Sequence, residues 1–154
     1  MLMFLQRAKL VIAGVVLLLG AAIVPASAST PDEAKALAEK AAALVASEGD
    51  KAFATLSDPK GDYVKGDLYI VVLDGKGVVH AHPNPKLVGV NMWDAEDPDG
   101  VKFTQELIKT VEGAESGWAK PYKFTNPTTK KIQTKKAWVH KVGDYAVLCA
   151  AYVN

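Results

Sequence analysis

The last third of the chain commits it to a β-sheet. Three strand-like runs follow one another, Trp118 to Phe124, Ile132 to His140 and Tyr145 to Val153, and Val142-Gly143-Asp144 supplies the turn between the last two. Two more runs lie upstream. Leu68 to Leu73 is apolar and aromatic, and Val78 to His82 returns after the turn Asp74-Gly75-Lys76-Gly77. Short turns between such runs favour antiparallel pairing. A sheet of this kind must bury a face against another layer.

The segment from Thr30 supplies that layer. Thr30 can cap a helix, Pro31 suits its first position, and Glu33 completes a capping box. Ala34, Leu37, Ala38, Ala41, Leu44 and Val45 recur at helical spacing, so one face is rich in alanine and must lie close to something flat. Gly49 interrupts the pattern, Asp50 to Leu56 continues it, and Asp58-Pro59-Lys60-Gly61 ends it. Further on, a long loop punctuated by Pro83, Pro85, Gly89, Pro98 and Gly100 leads to a short helix over Val101 to Val111. The pattern predicts an α+β domain: a long N-terminal helix on one face of an antiparallel sheet of about five strands, with the loop and short helix on the other. A loop of this length in a small domain is usually functional.

Residues 1–28 stand apart. Arg7 and Lys9 precede an apolar run from Leu10 to Val24, and Pro25 and Ala26-Ser27-Ala28 follow. This is the pattern of a secretory signal with cleavage after Ala28; the apolar run is short for a membrane span, which needs roughly 20 residues. The expected mature part, residues 29–154, is exported to the periplasm with 16 basic and 17 acidic residues. The charge balance gives no footprint for nucleic acid. Cys149 is the sole cysteine, which excludes an internal disulfide; set in Ala146-Val147-Leu148-Cys149-Ala150-Ala151, it reads as a buried, inert thiol.

Several side chains could carry chemistry. Side chains alternate along a strand, so Lys135, Ala137 and Val139 share one face and Lys136, Trp138 and His140 the other. Two apolar neighbours place Lys135 inward, where an ammonium is costly unless it meets an anion; the other reading exposes both lysines on an edge strand. The same alternation groups Trp118, Lys120, Tyr122 and Phe124, either as core or as a pocket wall. It also places His80 and His82 on one face. These two could begin a metal site, but no third ligand is evident, and hydrogen-bonded or solvated histidines are commoner. Asp97-Pro98-Asp99-Gly100 reads as a turn rather than a calcium loop, since the ligand spacing is missing. No nucleophile elbow, phosphate loop or zinc-protease signature is present, so neither an enzyme nor a cofactor is expected.

A set of short segments carries a family likeness. They include Asp50-Lys51-Ala52-Phe53, Asp58-Pro59-Lys60-Gly61, Gly66-Asp67-Leu68-Tyr69, His82-Pro83-Asn84-Pro85-Lys86-Leu87 and Val88-Gly89-Val90-Asn91-Met92. Gly117-Trp118, Tyr122-Lys123-Phe124-Thr125-Asn126-Pro127 and Lys135-Lys136-Ala137-Trp138-Val139 follow. In this order they resemble the single Cache domains of the second type, ligand-sensing modules of bacterial chemoreceptors and kinases that also occur as stand-alone exported proteins. The resemblance implies a PAS-like fold with a pocket between the sheet and the central loop. It implies a short organic acid such as pyruvate, lactate, acetate or propionate as ligand, and as ligand-binding residues Tyr69, His82, Trp118, Tyr122 and Lys135. Met92 and Trp93 would bound the alkyl tail. A membrane receptor partner and a homodimer through the N-terminal helix are further expectations. The alternative is a structural or accessory protein of the cell envelope with a filled pocket. Two departures from the family pattern stand out. Lys120-Pro121 adds a residue between the Gly-Trp and Tyr segments, and Cys149-Ala150-Ala151 replaces the usual glycines and narrows the pocket.

Overall fold

The computed structural model describes residues 28–153; the expected signal segment, apart from Ala28, lies outside them. Helix α1 (Pro31–Glu48) begins as its sequence requires. The Thr30 hydroxyl accepts from the Glu33 N–H at 3.2 Å, and the Glu33 carboxylate accepts from the Thr30 N–H at 2.7 Å. Gly49, at φ +60°, ends it, and a single 3-10 turn (Gly49–Lys51) leads into α2 (Ala52–Ser57). The predicted interruption at Gly49 is therefore a helix stop followed by a restart.

The strands are β1 (Val64–Lys65), β2 (Leu68–Asp74), β3 (Val79–Ala81), β4 (Ser116–Trp118), β5 (Tyr122–Thr125), β6 (Ile132–Val142) and β7 (Tyr145–Val153), with helix α3 (Phe103–Thr110) between β3 and β4. All pairings are antiparallel. The sheet order is β1-β2-β7-β6-β4; β3 also pairs with β2, and β5 also pairs with β6. Seven strands thus fill about five positions, because both edges are built from two short pieces.

One edge differs from the expected single strand over Trp118 to Phe124. Pro121 has no N–H to give to the ladder; the Ala119 N–H still donates to the Ala137 carbonyl at 3.0 Å, and residues 120–121 leave it. Trp118 pairs with Trp138 but Tyr122 pairs with Lys135, so four steps along this edge match three along β6. The extra residue switches faces. Trp118 and Tyr122, predicted on one face, lie on opposite faces.

Two cores flank the sheet. On one side Ala34, Ala38, Ala41 and Ala42 of α1 meet Val147, Cys149 and Ala151 of β7, all buried. Small residues on both surfaces permit the close approach that the alanine face demands. Cys149 is fully enclosed, and burial pushes its thiol up to about 12, which leaves it protonated and inert. On the other side α3 sets Phe103 and Leu107 against Ala137, Val139, Leu148 and Ala150. The replacement of family glycines by Cys149-Ala150-Ala151 therefore adds bulk mostly on the α1 side; only Ala150 faces the opposite layer.

The loop between β3 and α3 is tied to the hairpin at Val79, whose N–H donates to the Val90 carbonyl and whose carbonyl accepts from the Gly89 N–H, and at Gly77. Gly77 adopts φ +85°, and its carbonyl accepts from the Met92 N–H at 2.9 Å. A Cβ there would sit 3.0 Å from the Trp93 backbone. Gly77→Ala is expected to destabilise the domain by at least ~1–2 kcal/mol from the left-handed backbone alone, with the clash adding to it. Urea denaturation measures this; a variant as stable as the parent would contradict the tie.

Candidate functional site

β6 carries the key side chain. Its alternation places Lys135, Ala137 and Val139 in the layer under α3, and Lys136, Trp138 and His140 toward α1. Lys135 is only 3% exposed, which excludes the edge-strand reading. Its ammonium donates to the Tyr69 hydroxyl at 2.8 Å and lies over four aromatic rings. The centroid distances are 4.4 Å for Tyr69, 4.9 Å for Tyr152, 5.4 Å for Phe124 and 5.9 Å for Tyr122. None of the ion pairs among the described residues includes Lys135.

Burial works against this ammonium. The attraction of Tyr122, Tyr69 and Tyr152, which these phenols exert only once ionised, together with the Tyr69 hydrogen bond outweighs it, so the amine keeps its proton to above the ordinary lysine range. Burial raises the Tyr122 and Tyr152 hydroxyls in turn, so both stay protonated at neutral pH. Tyr69 accepts from Lys135, which leaves its own proton to donate.

His82 completes the donor set. It lies just beyond the end of β3, where Pro83 turns the chain, and its ring centroid is 5.0 Å from that of Tyr69. Burial, and then the charge of Lys135, lower its pKa to about 4, so the imidazole is neutral. Its Nδ1 accepts from the Asn84 N–H at 2.9 Å. The ring proton therefore sits on Nε2 as a donor. His80 points elsewhere. It contacts Asp74 at 2.8 Å and packs beside Phe53 and Tyr145 on the α1 side, so the two histidines do not share a face as strand alternation predicted. Among the described residues no three histidine, cysteine or carboxylate side chains converge to hold a metal ion.

Lys135, Tyr69, Tyr122 and His82 line one cavity between the sheet and α3, with Met92 and Thr104 among its other walls. Its volume is about 40 Å3, room for about three water-sized groups. Donors dominate its polar lining and no carboxylate takes part. Such a wall can hold a small anion and repels a cation.

Two predicted residues lie elsewhere. Trp118 packs edge-on to Trp138 at 5.1 Å on the α1 side, with the Lys136 ammonium 4.7 Å from its ring. Trp93 is 36% exposed and borders an open groove with Gly75, Lys76 and Asn91. Others were missed. Tyr152 enters through its pairing with Lys135, and its hydroxyl donates to the Thr125 carbonyl at 2.9 Å; its position at the end of an alternating strand was the available signal. Asp97, read as part of a turn, is a clamp. One oxygen accepts from the Asp99 and Val101 N–H groups, the other from the Lys123 N–H at 2.8 Å, which fixes β5 beside the site.

The family described as Single Cache domain 2 matches residues 20–152 of the chain. A sensor histidine kinase, MctS of Rhizobium johnstonii, is 35% identical over 79 residues, which are 51% of this chain and only 16% of the kinase. A methyl-accepting chemotaxis protein of Vibrio parahaemolyticus superposes with a TM-score of 0.68 at 20% identity, covering 80% of this chain and 88% of that one. A periplasmic sensor domain of a chemotaxis protein gives 0.61 at 26% identity over 80% of this chain and 90% of its own. A Cache chemosensory domain solved for the structural basis of carboxylic acid recognition gives 0.60 at 21% identity, over 80% and 88%. The descriptions of these relatives are those of chemotaxis and sensor proteins.

The buried neutral imidazole has a consequence for stability. The unfolded chain takes up a proton at His82 near pH 6.5, while the folded one does so only near 4. Its contribution is fully present above 6.5 and is lost as pH falls toward 4, by at most ~1.4 kcal/mol per pH unit. His82→Gln should remove that component. Denaturation at a series of pH values should show the stability difference between parent and variant changing only across this window; a constant difference would refute the burial of a neutral ring.

Proposed function

The chain belongs to the single Cache domain family, and from that premise we propose that it is an extracytoplasmic sensor module that binds a short-chain organic acid, such as acetate, propionate, pyruvate or lactate. The observation that carries this reading is the Lys135 ammonium, buried without an anionic partner at the wall of a cavity whose other polar groups are donors. Removing an ion from water costs several kcal/mol. Cation–π contacts, at roughly 0.5–2 kcal/mol each, and the Tyr69 hydrogen bond offset that cost without neutralising the charge, and a carboxylate supplies the missing counter-charge. In this reading Lys135 gives a charge-assisted bond, and Tyr69, Tyr122 and His82 Nε2 serve the remaining lone pairs. Neither Trp93 nor Trp118 is assigned to the ligand.

Size supports the short end of the organic acids. Room for about three water-sized groups places the ligand at the smallest end of that class. At no more than about −1.5 kcal/mol per heavy atom, five or six atoms limit affinity to roughly micromolar or a little tighter. Residues 1–28 act as a secretory signal cleaved after Ala28, residues 29–154 fold in the periplasm, and a membrane receptor or kinase reads the bound state. Among the described residues no helix is long and apolar enough to cross a membrane.

Titration calorimetry with these acids tests the proposal, with a binding isotherm expected for at least one of them. Lys135→Met should abolish binding while the melting temperature holds or rises, since a buried charge gives way to an apolar chain of similar length. Unchanged affinity in that variant would remove Lys135 from the site. Absence of binding to every acid would favour an accessory protein without a ligand.

A further inference from the structure

The wall that faces the ammonium holds one polar group without a role in the fold. Thr104 sits in the first turn of α3, is 1% exposed, and lines the cavity with Phe103 and Leu107. A threonine inside a helix usually turns its hydroxyl to the carbonyl four residues back. Thr110 of this same helix does so, donating to the Glu106 carbonyl at 2.7 Å. For Thr104 the residue four back is Gly100, which precedes the helix, so no carbonyl stands in helical register. Among the described residues its hydroxyl makes no hydrogen bond. It is also absent from the wholly enclosed polar atoms without a hydrogen bond among the described residues. The small surface that Thr104 retains therefore includes its hydroxyl, and that surface belongs to the cavity.

We propose that Thr104 is a specificity residue whose hydroxyl pairs with an oxygen on the carbon chain of the ligand, so that the site prefers 2-hydroxy and 2-oxo acids over plain acids of the same length. This rests on the carboxylate reading of the cavity. A carboxylate drawn to Lys135 on the sheet points its carbon chain into a cavity with room for about three water-sized groups, whose α3 wall includes Thr104. A methyl or methylene against Thr104 leaves a buried hydroxyl unpaired. A hydroxyl or carbonyl oxygen in the same place satisfies it, and sites of this kind discriminate against the ligand that lacks the partner.

Lactate and propionate differ by one hydroxyl, and their affinities measured by calorimetry on the purified protein form the test. The parent is expected to bind lactate about tenfold more tightly, the scale of one neutral hydrogen bond. Thr104→Val, equal in shape, should erase that preference by weakening lactate while leaving propionate unchanged or tighter. Thr104→Ser should retain the preference. Should the valine variant fail to fold by circular dichroism, the Thr104→Ser and Thr104→Ala pair makes the same comparison. A parent that binds both acids equally, or a valine variant that weakens both to the same degree or keeps the preference, overturns the role of Thr104 and leaves the carboxylate reading standing. A parent that binds neither acid overturns both.

Discussion

Each residue of a sheet strand can serve only one of the two layers the sheet separates, and in this domain β6 serves both with unlike chemistry. Its odd positions, Lys135, Ala137 and Val139, face the cavity and α3; its even positions, Lys136, Trp138 and His140, face α1. A shift of one residue would drive the Trp138 indole into the place of a small apolar residue under α3. The register is held from both flanks. β7 pairs with β6 along nine residues, and on the α1 side the Trp138 indole donates to Glu39 at 2.5 Å while His140 Nδ1 lies 2.8 Å from the same carboxylate. The polar cluster on one face thus helps to fix the lysine on the other.

That register was legible because it is a period-two pattern next to apolar neighbours. So were the capping box at Thr30, the stop at Gly49 and the extent of β7, all of which depend on a few adjacent residues. What the sequence hid depends on how strands line up across the sheet. Pro121 lets two residues leave the ladder, and the inserted step carries Trp118 to the face opposite the cavity. β3 stops at Ala81, so His82 is free of the alternation that pairs it with His80 on paper. Tyr152 reaches Lys135, and Thr104 the cavity wall, only because β7 and α3 converge on β6 from far away in the chain. Asp97 resembles any turn aspartate until its second oxygen is seen to hold β5.

The cavity has an unusual electrostatic character for a buried site, because its charge is met by dipoles and π-faces rather than by a carboxylate. The Tyr69 hydroxyl accepts from Lys135, and the rings of Tyr152, Phe124 and Tyr122 surround it. Neutral partners of this kind stabilise the cation without cancelling its field. An ion pair would have done both, leaving little attraction for a third group. The net charge is therefore still available inside the cavity, where the low dielectric makes it felt more strongly than at the surface.

The protonation states make this field constant. Lys135 is held above the ordinary lysine range, His82 is neutral down to about pH 4, and the Tyr122 and Tyr152 hydroxyls are held above their ordinary range. Lys135, His82, Tyr122 and Tyr152 each keep one protonation state between mildly acid and mildly alkaline pH. A site that relied on an imidazolium would lose its attraction as pH rose through neutrality. Here the imidazole contributes a neutral N–H whose direction is fixed by the Asn84 N–H bound to its other nitrogen. Across that range the only titration that matters is the ligand's own, and a short carboxylic acid, with a pKa well below neutrality, is an anion throughout. The same arrangement disfavours phosphate-like dianions. Their second charge would have no buried counter-ion, since Lys135 is the sole ammonium in the cavity wall.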